Sequence, residues 1–269
     1  MASRFGGRFL LRIEDIDVTR CRPELERGVY EDLAWLGLTW EQPVRRQSDH
    51  FDDYRAAALD LRRRGLLYPC FCSRKAILEA VAHREALTGR TWPRDPDGVP
   101  LYPGTCRAVS LGSAEDRIAS GEPCALRLDH REARAVASGP FRYGRFDADR
   151  QQAAVEARPE RWGDAVIVRK DVPTSYHLSV VVDDAIQGVT HVVRGTDLEA
   201  STDLHVLLQA LLAVPTPLYH HHALVRGPEG AKLSKSLGSE ALRDLRARGI
   251  PASAVRERLG FMPQATPRT

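Results

Sequence analysis

The stretch Gly230-Ala231-Lys232-Leu233-Ser234-Lys235-Ser236-Leu237-Gly238 places two ammonium groups and two hydroxyls close together. The glycine at each end lets the backbone flex and approach a ligand closely. Lysine is a compact charge suited to phosphate, and serine hydroxyls and backbone N–H groups supply further donors. Of the four lysines in the chain, two lie in this stretch. The stretch therefore predicts a flexible loop over a polyphosphate, although strings of this kind are more often exposed basic turns.

Composition places the chain among ordinary globular proteins and excludes several other classes. The net charge of +3 is too slight to mark a nucleic-acid-binding protein. No apolar run approaches the ~20 residues of a membrane span, and the opening residues lack the hydrophobic segment of a secretory signal. The five cysteines are an odd number in a chain without such a signal. They argue against a disulfide framework and favour a reducing cytoplasm.

Three carboxylates follow the first predicted strand. Residues 8–13 have the pattern of a strand, and Glu14, Asp15 and Asp17 come directly after it. Like charges this close are unfavourable unless they meet cations or ligand donors. A solvated turn is one interpretation. The other is a carboxylate that receives an amine or hydroxyl at the carboxyl end of a parallel strand, where open α/β sheets bind ligands.

The order of the remaining elements predicts an α/β fold with an insertion. Helices are predicted over 24–36, 49–64, 201–213, 239–248 and 252–260, and strands over 66–72, 189–195 and 218–225. Ser201 or Thr202 is expected to cap its helix. Residues 84–100 are rich in Arg, Pro, Gly and Asp, which predicts a surface excursion. Residues 123–171 contain short strands with recurring arginines and depart from β/α alternation, which indicates an inserted subdomain.

Two cysteine-containing segments form a second candidate site. Cys70-Phe71-Cys72 is followed at a distance by Tyr102-Pro103-Gly104-Thr105-Cys106. Three thiols with C-x-C spacing are typical of metal ligands, and zinc favours four ligands with sulfur common among them. Tyr102 is the nearest candidate for the fourth ligand. Isolated buried cysteines explain the same pattern equally well.

A charged side chain is also predicted at the end of a later strand. Residues 176–184 form an apolar run that ends in paired carboxylates, and the β-branched run 189–195 predicts a buried strand with Arg194 at its carboxyl end. A guanidinium in that place is suited to bidentate binding of a carboxylate. The run His220-His221-His222 must alternate between the two faces of a strand, so the three side chains cannot all ligate one metal. They are expected to line the core edge or a ligand.

Three clusters occur in a recognisable order: Leu11–Asp15, then Val181–Asp184 with Val193–Gly195, and last Lys232–Ser236. In this order they resemble the catalytic core of class I glutamyl-tRNA synthetases, whose KMSKS signature matches the last cluster with Leu for Met. The resemblance implies a Rossmann-like α/β core that lacks its N-terminal strand and helix. It divides the chain into a first half of the core (1–69), an inserted zinc-binding and stem-contacting subdomain (70–164) and a second half of the core (165–269).

Within that family the chain is most similar to the glutamyl-Q subfamily, because of the cysteine arrangement and the short segment after the lysine loop. The resemblance implies activation of glutamate by ATP, with Mg²⁺, and its transfer to queuosine in tRNA(Asp). It assigns zinc to Cys70, Cys72, Tyr102 and Cys106, and glutamate to Glu14, Tyr176 and Arg194. It assigns ATP to Lys232, Ser234, Lys235 and Ser236, of which Lys235 and Lys232 are catalytic.

The sequence also departs from the family pattern. The family opens with a strand, a HIGH-type motif and a helix before the strand that here begins at Arg8, and no His-x-Gly-His string occurs in this sequence. We therefore expect the 269-residue chain not to activate glutamate in ATP–pyrophosphate exchange, and an upstream extension to restore activity. We further expect a monomer with no membrane partner.

Two alternatives stay open. The chain could be a fragment of a glutamyl-tRNA synthetase that charges tRNA(Glu), which acylation assays would distinguish. It could also be a non-catalytic tRNA- or zinc-binding descendant of the fold, which predicts salt-sensitive tRNA binding without adenylate formation. A P-loop kinase is disfavoured because the string G-x-x-x-x-G-K-[ST] is missing from the sequence.

Overall fold

A computed structural model describes residues 1–227 and 240–261 of the chain. The lysine loop with Lys232, Ser234, Lys235 and Ser236 lies outside the described residues. The chain divides into two compact units. We call residues 50–223 the central unit, and residues 1–49 with 224–269 the terminal unit.

The described helices are α1 (Ala2–Phe5), α2 (Pro23–Trp35), α3 (Phe51–Arg63), α4 (Arg74–Thr88), α5 (Leu111–Ala119), α6 (His130–Val136), α7 (Tyr176–Ile186), α8 (Ser201–Leu212), α9 (Leu242–Ala247) and α10 (Ala252–Arg258). The strands are β1 (Arg12–Ile13), β2 (Arg45–Arg46), β3 (Leu67–Cys70), β4 (Ala125–Leu128), β5 (Arg142–Phe146), β6 (Gln152–Glu156), β7 (Val166–Val168), β8 (His191–Gly195) and β9 (Leu218–His222). Short 3₁₀ helices span Gln47–His50, Pro159–Trp162 and Thr196–Leu198. In the described part of the chain, no helix is both long enough and apolar enough to span a bilayer.

The core of the central unit is built on α8, which is buried along nearly its whole length. Leu204, Leu207 and Leu208 of α8 are each at most 1% exposed. A helix that is apolar on most of its surface is stable only inside a core, and here α3 and α7 pack against it. The core therefore holds α7 and α8 firmly beside the strands that follow them.

A four-stranded sheet in the central unit has the order β6-β5-β9-β8. β8, β9 and β5 run parallel, and β6 is antiparallel to β5. The register of the parallel pair sets Arg194 of β8 opposite His221 of β9. The prediction of a buried strand over 189–195 is wrong in one respect: β8 is an edge strand of this sheet as described, so its face is only partly covered and Val193 is 46% exposed.

A three-stranded antiparallel sheet of order β3-β4-β7 carries the first cysteine segment at the end of β3. Helix α4 starts directly afterwards, because the side chain of Ser73 accepts a hydrogen bond from the backbone N–H of Ala76 and caps it. The positions of Cys70 and Cys72 are therefore fixed between a strand and a capped helix.

The terminal unit contains a parallel pair, β1 with β2. β1 covers only Arg12–Ile13, so it is shorter than the strand predicted over residues 8–13. Asp15 is buried and accepts hydrogen bonds from the backbone and side chain of Ser48, at 2.9 and 2.6 Å, and from Arg46 at 3.2 Å. This carboxylate joins the ends of the two strands, so it has a structural role.

Candidate active site and metal site

The side chain of Arg194 is at the centre of a polar network in the central unit. Its Nε donates to His221 Nε2 at 3.3 Å and its Nη2 to Thr202 Oγ1 at 2.7 Å. Its Nη1 donates to the hydroxyl of Tyr176 at 3.3 Å and to His205 Nδ1 at 3.2 Å. The sequence analysis assigned both Tyr176 and Arg194 to glutamate, with Tyr176 expected near the amino group, and the structure brings the Tyr176 hydroxyl to the guanidinium.

These four contacts leave little of the guanidinium for a ligand. A guanidinium has five N–H donors, and one N–H on Nη2 is left without a partner among the described residues. Bidentate binding by Arg194 alone therefore does not fit this arrangement. The hydroxyl of Tyr176 accepts from Arg194 Nη1 at 3.3 Å, so it lies beside this guanidinium. The remaining Nη2 donor and the positive charge of Arg194 suit a carboxylate.

Thr202 takes part in this network instead of capping its helix. The N-cap position of α8 is Ala200, without a side-chain hydrogen bond. The prediction that Ser201 or Thr202 caps the helix is therefore wrong. Thr202 does not cap the helix because its Oγ1 has other partners: it accepts from Arg194 and lies 3.2 Å from His221 Nε2.

Three histidines near Arg194 are held in the neutral form. Burial, followed by the positive charge of Arg194, lowers the pKa of His177 to about 4, and the same causes lower the pKa of His221 to about 4. Burial also lowers the pKa of His205 well below its ordinary value, helped by His177 and Arg194. Because neutral imidazole has one acceptor nitrogen, these rings serve as acceptors beside a cation. The sequence analysis missed His177 and His205 because it weighed neither residue.

Glu14 belongs to the terminal unit, where it is exposed at the end of β1. Its carboxylate accepts from Arg12 Nη2 at 3.1 Å, and its side chain is 44% exposed. Its buried neighbour Asp15 has its partners within the same unit, as described above. Of the carboxylates at this strand end, Glu14 is therefore accessible to a ligand, whereas Asp15 is occupied.

The cysteine segments converge as the spacing suggested. The sulfurs of Cys70, Cys72 and Cys106 all lie within 4.8 Å of one another, and Cys72 Sγ is 3.5 Å from Cys106 Sγ. The hydroxyl of Tyr102 lies 3.4 Å from Cys72 Sγ and accepts from the backbone N–H of Cys106 at 2.9 Å. Tetrahedral zinc with Zn–S bonds of ~2.3 Å sets sulfur atoms roughly 3.7 Å apart, so these four donors fit that ion.

The surroundings of the cluster act on its thiols in opposite directions. Burial raises the pKa of Cys72; burial acts the same way on Cys106, but hydrogen bonds from Tyr102 and the backbone outweigh it and lower that pKa. Arg127 lies over the Tyr102 ring at 4.0 Å from its centroid, and Arg117 lies over the Phe71 ring at 3.8 Å. These cations would offset the negative charge that thiolate ligands bring to a metal.

Comparison with known proteins identifies the class to which this fold and these sites belong. The family described as tRNA synthetases class I (E and Q), catalytic domain, matches residues 1–266. The chain therefore belongs to the class I tRNA synthetases of this family, which confirms the resemblance inferred from the sequence.

Individual relatives show which proteins of this family the chain is similar to. The chain is 44% identical over 261 residues to a glutamyl-Q tRNA(Asp) synthetase of Rhodobacter capsulatus, an alignment that covers 97% of this chain and 91% of the relative. It is 37% identical to a protein of the same description from Symbiobacterium thermophilum, covering 97% of this chain and 78% of the relative. Among solved structures, a glutamate tRNA ligase from Elizabethkingia meningosepticum in complex with its amino acid aligns with a TM-score of 0.66 and 26% identity. That alignment covers 92% of this chain, which spans about half (48%) of the solved chain.

Proposed function

We propose that the function of this protein is to activate glutamate with ATP, which gives glutamyl-adenylate and pyrophosphate, and then to transfer the glutamyl group to the queuosine base of tRNA(Asp). The observation that carries the proposal is the 44% identity with the Rhodobacter capsulatus protein over nearly the full length of both chains. The polar network around Arg194 agrees with it, because the guanidinium keeps one Nη2 donor and its positive charge for a carboxylate. The reaction is a ligation that belongs in the cytoplasm, where tRNA and ATP are present.

The roles of the site residues form part of this proposal. Arg194 Nη2 holds a carboxylate of glutamate beside the hydroxyl of Tyr176, and Glu14 receives the substrate amino group. Lys235 and Lys232, with Ser234 and Ser236, bind the phosphates of ATP. As the glutamate carboxylate attacks the α-phosphate and pyrophosphate leaves, the lysines offset the growing negative charge. Mg²⁺ bound to ATP supplies further charge neutralisation.

The test of the function measures two half-reactions. ATP–pyrophosphate exchange should depend on glutamate, and labelled glutamate should be transferred to tRNA(Asp) that bears queuosine but not to tRNA(Asp) with guanine at the wobble position. Both assays are run on the 269-residue chain and on a form extended upstream. Transfer to tRNA(Glu) and not to tRNA(Asp) would reject the proposal. It would favour the activity in the name of the solved structure, a glutamate tRNA ligase.

Ligand analogues test the role of Arg194. Glutamine lacks the γ-carboxylate and γ-aminobutyrate lacks the α-carboxylate, so the analogue that stops binding identifies the carboxylate held by Arg194. Arg194→Gln should abolish glutamate binding, whereas Arg161→Gln, which removes an exposed partner of Asp203, should not. Equal glutamate affinity in the two variants would disprove the role of Arg194.

We also propose that Cys70, Cys72, Cys106 and Tyr102 bind one zinc ion. Zinc would join the two cysteine segments and stabilise the central unit, because a closed four-ligand site contributes directly to folding. Metal analysis of the purified chain should give one zinc per chain, and Cys72→Ser should lose it. Cys21→Ser is the matched control, since Cys21 is exposed and lies outside the cluster. Loss of zinc in both variants, or in neither, would contradict the assignment.

A further inference from the structure

A chain of two histidines, of which His205 is buried and His177 half-buried, lies behind Arg194 and has no part in the proposed chemistry. Arg194 Nη1 contacts His205 Nδ1 at 3.2 Å, and His205 Nε2 contacts His177 Nδ1 at 3.1 Å. His205 is 1% exposed. Placing two imidazoles in series with a guanidinium in a core costs free energy unless each polar atom is hydrogen-bonded. The positions of the ring protons therefore matter.

The donors fix the proton on each ring. Arginine has only donors, so His205 Nδ1 must accept and a neutral His205 carries its proton on Nε2. That proton is donated to His177 Nδ1, which places the proton of neutral His177 on Nε2. On the opposite side, Arg194 Nε donates to His221 Nε2, so His221 carries its proton on Nδ1. The network therefore permits one arrangement of protons among these three rings.

Packing holds the outer end of this chain. The rings of His177 and Trp162 meet edge-on, with centroids 5.2 Å apart, and Trp162 Nε1 donates to the backbone oxygen of Ala200 at 3.0 Å. Ala200 immediately precedes α8, the helix that carries His205. The tryptophan thus connects His177 to the start of α8, the helix that carries His205.

We propose that His205, supported by His177, is a positioning residue that sets the Arg194 guanidinium in place for the substrate carboxylate. Because His205 and Tyr176 take the hydrogens of Nη1, the remaining Nη2 donor is directed to the ligand beside the tyrosine hydroxyl. This inference rests on the proposed function of Arg194 and adds to it the residues that determine its geometry. The ligand class is an amino acid with a carboxylate at this subsite.

The first experiment reads the proton positions directly, in the protein without ligand. Long-range ¹H–¹⁵N correlation spectra of the histidine rings should show His205 and His177 protonated on Nε2 and His221 on Nδ1 at neutral pH. Exposed His83 on α4 serves as the reference ring. A His205 ring protonated on Nδ1, or charged, would overturn the inference.

The second experiment measures glutamate affinity by NMR titration of the 269-residue chain. In His205→Leu, loss of an acceptor for a charged donor should weaken glutamate binding about tenfold or more, without changing ATP affinity. In His205→Asn, whose amide oxygen can take the place of Nδ1, affinity should stay within about threefold of the wild type. His83→Leu should bind as the wild type does.

The outcomes separate the two proposals. If neither the 269-residue chain nor the form extended upstream binds glutamate, the proposed function fails, and the positioning role fails with it. If the wild type binds and His205→Leu binds equally well, only the positioning role fails. If His205→Leu does not fold, His205→Asn and the wild-type spectra still decide, because loss of affinity in the asparagine variant would contradict the acceptor role.

Discussion

A buried hydrogen bond between α3 and α7 allows a sharp test of how the central unit is stabilised. The hydroxyl of Tyr54 lies 2.9 and 3.0 Å from the two carboxylate oxygens of Asp183, and both residues are fully buried. Tyr54→Phe removes this donor while the ring stays in place, so the change creates almost no cavity. The variant therefore isolates the contribution of the hydrogen bond.

The expected loss of stability is about 2 kcal/mol, because hydrogen bonds to charged groups contribute roughly 1.5–3 kcal/mol. Asp183 has further polar contacts, so the carboxylate is not left without partners and the loss stays in the lower part of that range. Asp183→Asn should cost a similar amount. The double variant should cost clearly less than the sum, because the two groups act on each other.

Urea denaturation followed by circular dichroism measures the free energy, and hydrogen exchange of α3 and α7 peptides assigns it to the central unit. Tyr143→Phe is the matched control. Tyr143 is also buried, at 5% exposure, but within residues 1–227 and 240–261 its hydroxyl makes no hydrogen bond, so its loss should cost less than about 0.5 kcal/mol. A Tyr54→Phe variant as stable as the wild type, or a Tyr143→Phe variant equally destabilised, would refute this reasoning.

Two further predictions concern pH and glycines. The pKa of His177 in the folded protein lies at about 4, below its ordinary value of 6.5. Between these two pH values the unfolded chain therefore binds more protons than the folded protein. The free energy of unfolding should fall as the pH drops from 7 to 5, by up to about 2 kcal/mol for this ring. Urea denaturation of His177→Gln at both pH values should show a smaller fall; an unchanged pH dependence would contradict the neutral ring. Gly28→Ala should stabilise α2 by about 0.5–1 kcal/mol, because an added Cβ meets no atom within 4 Å. Gly144→Ala should destabilise the protein, because its Cβ would lie 2.3 Å from Leu218 Cδ2, which would have to move. Changes in thermal denaturation midpoint of the same sign for both variants would disprove this.

Elements with strong periodicity were predictable from the sequence. Helix α2 was expected over 24–36 and spans Pro23–Trp35, and the strand expected over 189–195 is β8. In both cases a local signal, Pro23 at a helix start or a β-branched run, agrees with the tertiary environment. The exposure of β8 was not predictable, because it depends on which strands become neighbours and not on the strand's own residues.

The helices α4, α5 and α6 were missed, although their caps are visible in the sequence. The side chains of Ser73, Ser110 and Asp129 each accept from backbone N–H groups of the following turn. Residues 84–100, which include the end of α4, were predicted to be a surface excursion from their Arg, Pro and Gly content, and short strands were predicted over 123–171, where α6 lies. No element was predicted over 111–119. A search for capping residues ahead of each segment would have found these helix starts.

For the candidate sites, spacing predicted which residue types matter but not their mutual arrangement. Cys70, Cys72, Tyr102 and Cys106 were expected together and do converge. His205, in contrast, is eleven positions from Arg194 in the sequence, and nothing local indicates that α8 turns its histidine back towards β8. Contacts between a helix and an edge strand depend on packing of the whole core, which no local pattern encodes.

The partners of Arg194 also explain why this position suits an anionic ligand. The hydrogen bonds of its guanidinium with other described residues all go to neutral acceptors: a tyrosine, a threonine and two histidines. The guanidinium also lies over the neutral ring of Tyr219, 5.1 Å from its centroid. Arg107, a partly buried arginine of the central unit, has in contrast the carboxylate of Asp164 as its partner. A carboxylate partner at Arg194 would cancel the charge that a substrate must find there, whereas neutral acceptors orient the guanidinium and leave its charge in place. The histidines serve this purpose only while they are neutral, and their burial beside the same cation keeps them so. Orientation and charge at this subsite therefore have one common origin in the packing of α7 and α8 against β8.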